Sequence, residues 1–344
     1  MAKTKKINLA LQGGGAHGAF TWGVLDRLLQ ENDLEICGIS GTSAGALNGA
    51  ALKSGMVSGG RTAARENLEW LWMQVAGVSD LAVGDWMAPF GIGVLGKQLA
   101  FSLPYAFGTA ITQTLSPYSY GPFYKNPLAD IVEKFNYDQV CAHDSPLFFV
   151  GATRLRNGKI RVFEGDEIGP EALMASACLP TLFQAVEIFD KTTDRVEAFW
   201  DGGYTGNPAL FPLFRNDLPG DIVIININPL ERDDTPTTPQ DIQNRINEIS
   251  FNSSLLRELR AIDFVQRLLD EGKLSTDSMA RLRVHMIADD ALMAQLSSVT
   301  KTVPNPAIIS QLKASGIAAA EAFLRDDIDN IGKRSSINLR EMFA

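Results

Sequence analysis

The 344-residue chain is short of the residues that build metal and disulfide sites. It has three cysteines and three histidines. Cys37, Cys141 and Cys178 are odd in number and widely spaced, with no C-x-x-C among them. That argues against a disulfide framework or a zinc site and fits free thiols in a reducing compartment. Cys37 and Cys178 sit in apolar surroundings and read as core packing. Positive charge is also scarce: the formal net charge is −9. Lys3, Lys5 and Lys6 form a small basic start, but no basic stripe runs through the body, so nucleic acid is not an expected partner. Long apolar runs are missing too. Ile7 to Leu11 is too short for the core of a signal peptide. The stretch from Leu81 to Ile111 is broken by Asp85, Lys97, Pro89, Pro104 and five glycines, so a membrane-spanning helix is not expected there. The expected location is the cytoplasm, with non-classical secretion left open.

What the chain does have is apolar content, 45% of its residues, enough for a sizeable core. Ile7 to Leu11 reads as a buried strand, followed by a glycine loop and a helix to about Gln30. Glu35 to Ser40 is a second strand, Ala44 to Met56 a second helix and Arg61 to Val75 a third. This alternation predicts an α/β fold with a mostly parallel sheet covered by helices. Strands are also expected from Pro146, at 159–164, in a hairpin around Asp190 to Asp194, at 221–228 and at 281–288. Helices are expected at 171–177, 239–271 and 306–326, with a loose tail beyond. No linker or repeat divides the chain. The simplest organisation is one domain over 1–344. It comprises a motif-bearing core at 7–228, an apolar insertion at about 80–124 and a largely helical part at about 239–330.

Gly41-Thr42-Ser43-Ala44-Gly45 fits G-x-S-x-G, between a strand and a helix. That pattern places a serine on a sharp turn with its hydroxyl exposed above a helix N-terminus. Gly13-Gly14-Gly15-Ala16-His17-Gly18 fits G-x-G-x-x-G and also lies between strand and helix. A dinucleotide site would need an acidic residue at the end of the next strand. That strand instead ends Gly38-Ile39-Ser40-Gly41, which weakens the nucleotide-binding oxidoreductase reading. The same backbone N–H groups can hold an oxyanion, and Ser43 lies only 28 residues after Gly15.

A serine nucleophile needs a base. Ser43, Asp201 and His285 follow the chain order of an α/β-hydrolase triad, but His285 falls mid-strand by the alternation of Leu282, Val284, Met286 and Ala288. His143 reads as a surface turn residue. His17 lies nearest to Ser43, without an evident acid to orient it. Asp201 ends an apolar strand and precedes Gly202-Gly203, a placement suited equally to chemistry and to a plain Asp-Gly turn.

Taken together, these motifs resemble the patatin-like phospholipases. The family pattern is a glycine-rich oxyanion motif, G-x-S-x-G, an alanine/serine-rich stretch ending in proline, and D-G-[GA]. Here these stand as Gly13 to Gly18, Gly41 to Gly45, Ala175-Ser176-Ala177-Cys178-Leu179-Pro180, and Asp201-Gly202-Gly203. The resemblance implies a three-layer fold with a mostly parallel central sheet between helices. It also implies a Ser43–Asp201 dyad with none of the histidines as base, and an oxyanion hole among Gly13, Gly14, Gly15, Ala16 and Gly18. No metal or other cofactor is expected, calcium included. His17 stands where the family usually has Arg or Lys, and so neighbours the implied oxyanion site. The implied activity is hydrolysis of fatty-acyl esters, of phospholipase A or lysophospholipase type. An esterase on neutral lipids or polyester oligomers, and a silent lipid-binding module, stay open. The segment from Leu81 to Tyr124, nearly uncharged and aromatic-rich, is expected to form the acyl channel, to touch a membrane surface, or simply to complete the core.

Overall fold

The computed structural model describes residues 4–87, 116–144, 146–233, 235–275, 279–296, 300–301 and 304–343. Its main elements, in chain order, are β1 (Lys5–Leu11), α1 (Gly18–Leu28), β2 (Leu34–Gly41), α2 (Ala44–Met87), β3 (Leu147–Arg154), β4 (Ile160–Glu164), α3 (Pro170–Ser176), β5 (Val186–Asp190), β6 (Arg195–Asp201), β7 (Asp221–Ile225), α4 (Pro239–Asp270), β8 (Arg283–Ile287) and α5 (Pro306–Asp326). Eight strands form one mixed sheet in the order β5-β6-β3-β2-β1-β7-β8, with β4 also paired to β3. The run from β3 to β8 is parallel, and β4, β5 and β6 are antiparallel additions.

Alternation along the central strands feeds two cores. Leu9, Leu11, Val223 and Ile225 face a core shared with α1, α2 and α5. Ala10, Ile222 and Ile224 face one built with Leu255, Leu259 and Ile262 of α4. The result is three layers, helices on both faces of a parallel-rich sheet, as the strand-helix alternation predicts. Local chemistry sets the helix starts. Thr238 and Asn305 cap α4 and α5 through side-chain oxygens, each followed by proline at the first helical position, where its missing N–H costs nothing.

Three expectations need revision. The helix expected at 61–75 extends to Met87, while the break expected before it stands at Gly59 and Gly60, whose backbone is non-helical. The strand expected at 221–228 stops at Ile225; beyond it Asn226 Nδ2 donates to the Asn228 carbonyl and Asn228 Nδ2 to the Gly13 carbonyl. The tail beyond 326 is not loose. Leu339 is buried in the second core, Ser336 N–H bonds the Val284 carbonyl, and Gly332 N–H bonds Asp221 Oδ1. The heart of the apolar insertion, 88–115, lies outside the described residues, and with it most of the segment expected to form an acyl channel. Its described end, Pro117–Phe123, docks by Tyr118 and Tyr124, whose hydroxyls accept from the N–H groups of Ala185 and Gln184.

Candidate active site

The site is assembled on β3. This strand pairs β2 through Leu147–Val150, β4 through Phe149–Thr153 and β6 through Ala152–Arg154. A strand has two edges, and β4 overlaps both other partners, so β2 and β6 share the opposite edge end to end. Gly41 stands opposite Val150, and Asp201 opposite Ala152, two residues along. The turn after β2 therefore meets the end of β6. Close contacts agree: a Cβ on Gly202 would lie 3.0 Å from Thr42 Cγ2, and Thr42 Oγ1 donates to the Gly206 carbonyl at 2.7 Å.

Ser43 occupies that turn with φ of +54°. For a non-glycine residue this is the sparsely populated left-handed region, and strain of this kind persists only where neighbours enforce it. The enforcement is visible. Ser43 N–H donates to Ser176 Oγ at 2.9 Å, and Ser176 Oγ donates in turn to the Gly151 carbonyl at 2.6 Å. Two residues further on, the Cys178 carbonyl accepts the Asp201 N–H at 2.8 Å. The alanine/serine-rich stretch thus holds the serine turn and the aspartate strand end together. Ser176 was absent from the candidates drawn from sequence; the motif drew notice, but its side-chain role needs the fold.

Asp201 is 1% exposed. Its Oδ1 accepts from Gly203 N–H at 2.7 Å, while Oδ2 is buried without a fully formed hydrogen bond. Burial pushes the carboxyl up to about 7, against the Gly203 N–H and the Ser43 hydroxyl, which both hold it down. The serine is therefore near enough to be felt, though not tightly bonded. Such bonds are often loose before substrate arrives. The wall behind Gly203 is Phe251 of α4, 2.7 Å from where a glycine Cβ would stand. Tyr204 packs edge-on against the same ring at 5.3 Å.

The glycine loop runs alongside. A Cβ on Gly13 would sit 2.6 Å from Ser43 Cβ, so only glycine lets the loop approach the serine this closely. Among the expected oxyanion donors the structure draws a distinction. Gly13 N–H is taken by Asn207 Oδ1 at 2.7 Å, and its carbonyl accepts from Asn228 Nδ2 at 2.7 Å and Asn207 Nδ2 at 3.3 Å. Gly13 is an anchor, not a free donor. Gly18 N–H bonds the Ala16 and Gly15 carbonyls and belongs to the start of α1. Among the described residues, the N–H groups of Gly14, Gly15 and Ala16 donate to no protein oxygen, as does that of Ala44 at the start of α2, a donor that the sequence did not flag. Asn207, Asn228 and Gln12, whose Oε1 accepts from the N–H groups of Ile227 and Asn228, cradle the loop. None of the three carries a motif that sequence reading could find.

The histidines lie apart from Ser43 or turn away. His17 is fully buried with Nε2 2.8 Å from Thr300 Oγ1, and burial, reinforced by Lys301, holds its pKa well below the ordinary value. It is a neutral structural ring, not a charge beside an oxyanion. His285 sits on β8, three strands from β2, roughly 14 Å away at ordinary strand spacing. Its Nε2 lies 3.1 Å from Asp221 Oδ1. His143 is exposed. Among the described residues no group of three or more His, Cys, Asp or Glu converges as a metal site would require.

A family model described as patatin-like phospholipase matches residues 9–214, more than half of the chain. Among solved structures, VipD from Legionella pneumophila is similar over 94% of this chain and 67% of its own, at 14% identity and a TM-score of 0.40. No curated protein sequence matches.

Proposed function

Since the chain belongs to the patatin-like phospholipase family, a family of lipid acyl hydrolases, we propose that it cleaves fatty-acyl esters of phospholipids or lysophospholipids through a Ser43–Asp201 dyad. The observation that carries this reading is the shared edge of β3, which brings the strained serine turn and the buried aspartate to one place with no histidine between them.

The chemistry follows from the groups present. Asp201, ionised, takes the Ser43 proton as Oγ attacks the ester carbonyl carbon. The carbonyl π pair moves to oxygen, and the oxyanion is met by the free N–H groups of the glycine loop. Losing one such donor typically raises the barrier by about 3 kcal/mol. Collapse breaks the ester C–O bond, Asp201 returns the proton to the departing alcohol, and an acyl-serine remains. Water then attacks, Asp201 takes its proton, and collapse breaks the bond to Oγ while Asp201 passes that proton to it, which frees the fatty acid and regenerates Ser43. An ordinary aspartate is a weak base for this task; the buried carboxyl, raised to about 7, is better matched.

Turnover of a panel of phospholipids, lysophospholipids and p-nitrophenyl esters, with Ser43→Ala as control, tests the proposal. The expected result is fatty-acid release that the alanine variant lacks. Equal release by both proteins would refute it.

A further inference from the structure

Helix α4 has two faces of different use. The inward face carries Leu255, Leu259 and Ile262 into the second core, and Phe251 against Gly203 and Tyr204, so the helix walls the loop that presents Asp201. The outward face is not the polar surface that an ordinary solvent-facing helix shows. Ile242, Ile246 and Ile249 are 42%, 53% and 54% exposed. Their i, i+4, i+7 spacing puts them on one stripe. At 100° per residue the same stripe continues through Arg257, Arg260 and Phe264, the last 53% exposed. Of the acidic residues of the helix, Asp241, Glu248, Glu258 and Asp270 fall on other sides by the same rotation, and Asp263, at the edge of the stripe, is paired with Arg267 and Arg340.

Of the three arginines on this line, Arg267 pairs with Asp263 at 3.1 Å, whereas Arg257 and Arg260 are not spent on ion pairs among the described residues. Arg257 bonds only the carbonyl and hydroxyl of Ser253, at 3.1 and 3.2 Å, and Arg260 lies over the Phe343 ring at 5.2 Å. A stripe of exposed isoleucine, phenylalanine and two unpaired arginines, its one bordering carboxylate paired, stands out on a chain of net charge −9. Apolar side chains enter the boundary between headgroups and acyl chains, and arginines attract anionic headgroups. We infer that the outward stripe of α4 docks on the surface of an anionic phospholipid bilayer and so holds the Asp201 loop against the lipid from which substrate is drawn. The inference deepens the lipid-hydrolase reading and rests on it for the identity of the bilayer as substrate source.

The test is sedimentation of the full chain with vesicles of phosphatidylcholine, with and without phosphatidylglycerol. Wild type should partition onto the phosphatidylglycerol vesicles, less so as salt rises. Ile246→Glu/Ile249→Glu should lower the partition coefficient at least about tenfold. Arg257→Gln/Arg260→Gln should lower it about fivefold per arginine and flatten its salt dependence. Both variants should hydrolyse a soluble short-chain ester as wild type does, because none of the changed side chains contacts Ser43, Asp201 or the glycine loop. Failure of wild type to bind anionic vesicles, or equal binding by the isoleucine variant, would overturn the inference. So would a wild-type dimer in ultracentrifugation that the isoleucine variant converts to monomer, which would make the stripe a contact between copies. Vesicle binding is read without turnover. Binding with no ester hydrolysis would remove the dyad and leave the docking surface standing; hydrolysis without binding would do the reverse.

Discussion

Asp201 carries the chemical reading because it is expensive where it stands. A carboxylate shut away from water is disfavoured against its neutral form, and here the balance falls at about 7. Two outcomes follow. In the proposed role Asp201 must be ionised, so kcat/KM should fall toward acid with an apparent pKa near 7, measured on a soluble ester. The stability effect has the opposite sense. The folded state holds this proton more tightly than the unfolded one, so relative to an ordinary aspartate, stability is progressively lost as pH rises from about 4 to 7, by up to about 4 kcal/mol. Asp201→Asn should therefore raise Tm at pH 8 and leave it nearly unchanged at pH 4, as thermal melts at the two pH values would record. Ser176 belongs to the same scale. Ser176→Ala removes the acceptor of the buried Ser43 N–H, and an unpaired buried donor costs about 1–3 kcal/mol. The expected result is a fall in kcat of about tenfold or more, with KM little changed; an unaltered kcat would mean that the turn holds itself. Ser43 and Asp201 were legible as residues because each lies in a short motif. The roles of Ser176, Asn207 and Asn228 were not, because a hydrogen bond to a residue far along the chain leaves no local pattern, even where, as for Ser176, the residue sits in a motif.

Elements were read best where periodicity is strong. The hairpin at Val186–Asp190 and Arg195–Asp201, the long α4 and the central strands all stand within a few residues of their expected places. The break at Gly59-Gly60 was legible because paired glycines stop a helix, whereas the extension of the following helix to Met87 was not. Helix α5 is long and apolar enough to cross a membrane by length and composition. Its role in the structure is packing: Gly316 lies directly on the Phe20 carbonyl of α1, and Gly23 of α1 on the Lys313 carbonyl. Gly316→Ala should force these helices apart and destabilise the protein by about 1–3 kcal/mol, read as a lower urea midpoint with an unchanged m-value. A neutral substitution would contradict the close packing of α1 on α5.

For the whole molecule, the family match ends at residue 214, but the sheet does not. β7 pairs directly with the central β1, and β8 with β7. Asn228, beyond the match, holds the Gly13 carbonyl, and the Lys301 carbonyl lies against Gly15, whose φ is +58°. A fragment ending at 220 should thus fail to melt cooperatively and should lack activity, tested by circular dichroism and ester turnover; a soluble, active fragment would show that the later strands are dispensable. The layer order was legible from strand-helix alternation. The dependence of the glycine loop on residues two hundred positions away was not, because only the parallel pairing of β7 with β1 brings them together.

The central claim is that an aspartate, not a histidine, serves Ser43, and kcat/KM of Asp201→Asn on a soluble p-nitrophenyl ester tests it most directly. The geometry predicts a loss of at least about a thousandfold, on the scale seen when a catalytic base is disabled, in a protein whose melt shows it folded. A folded variant within a few-fold of wild type would contradict the dyad.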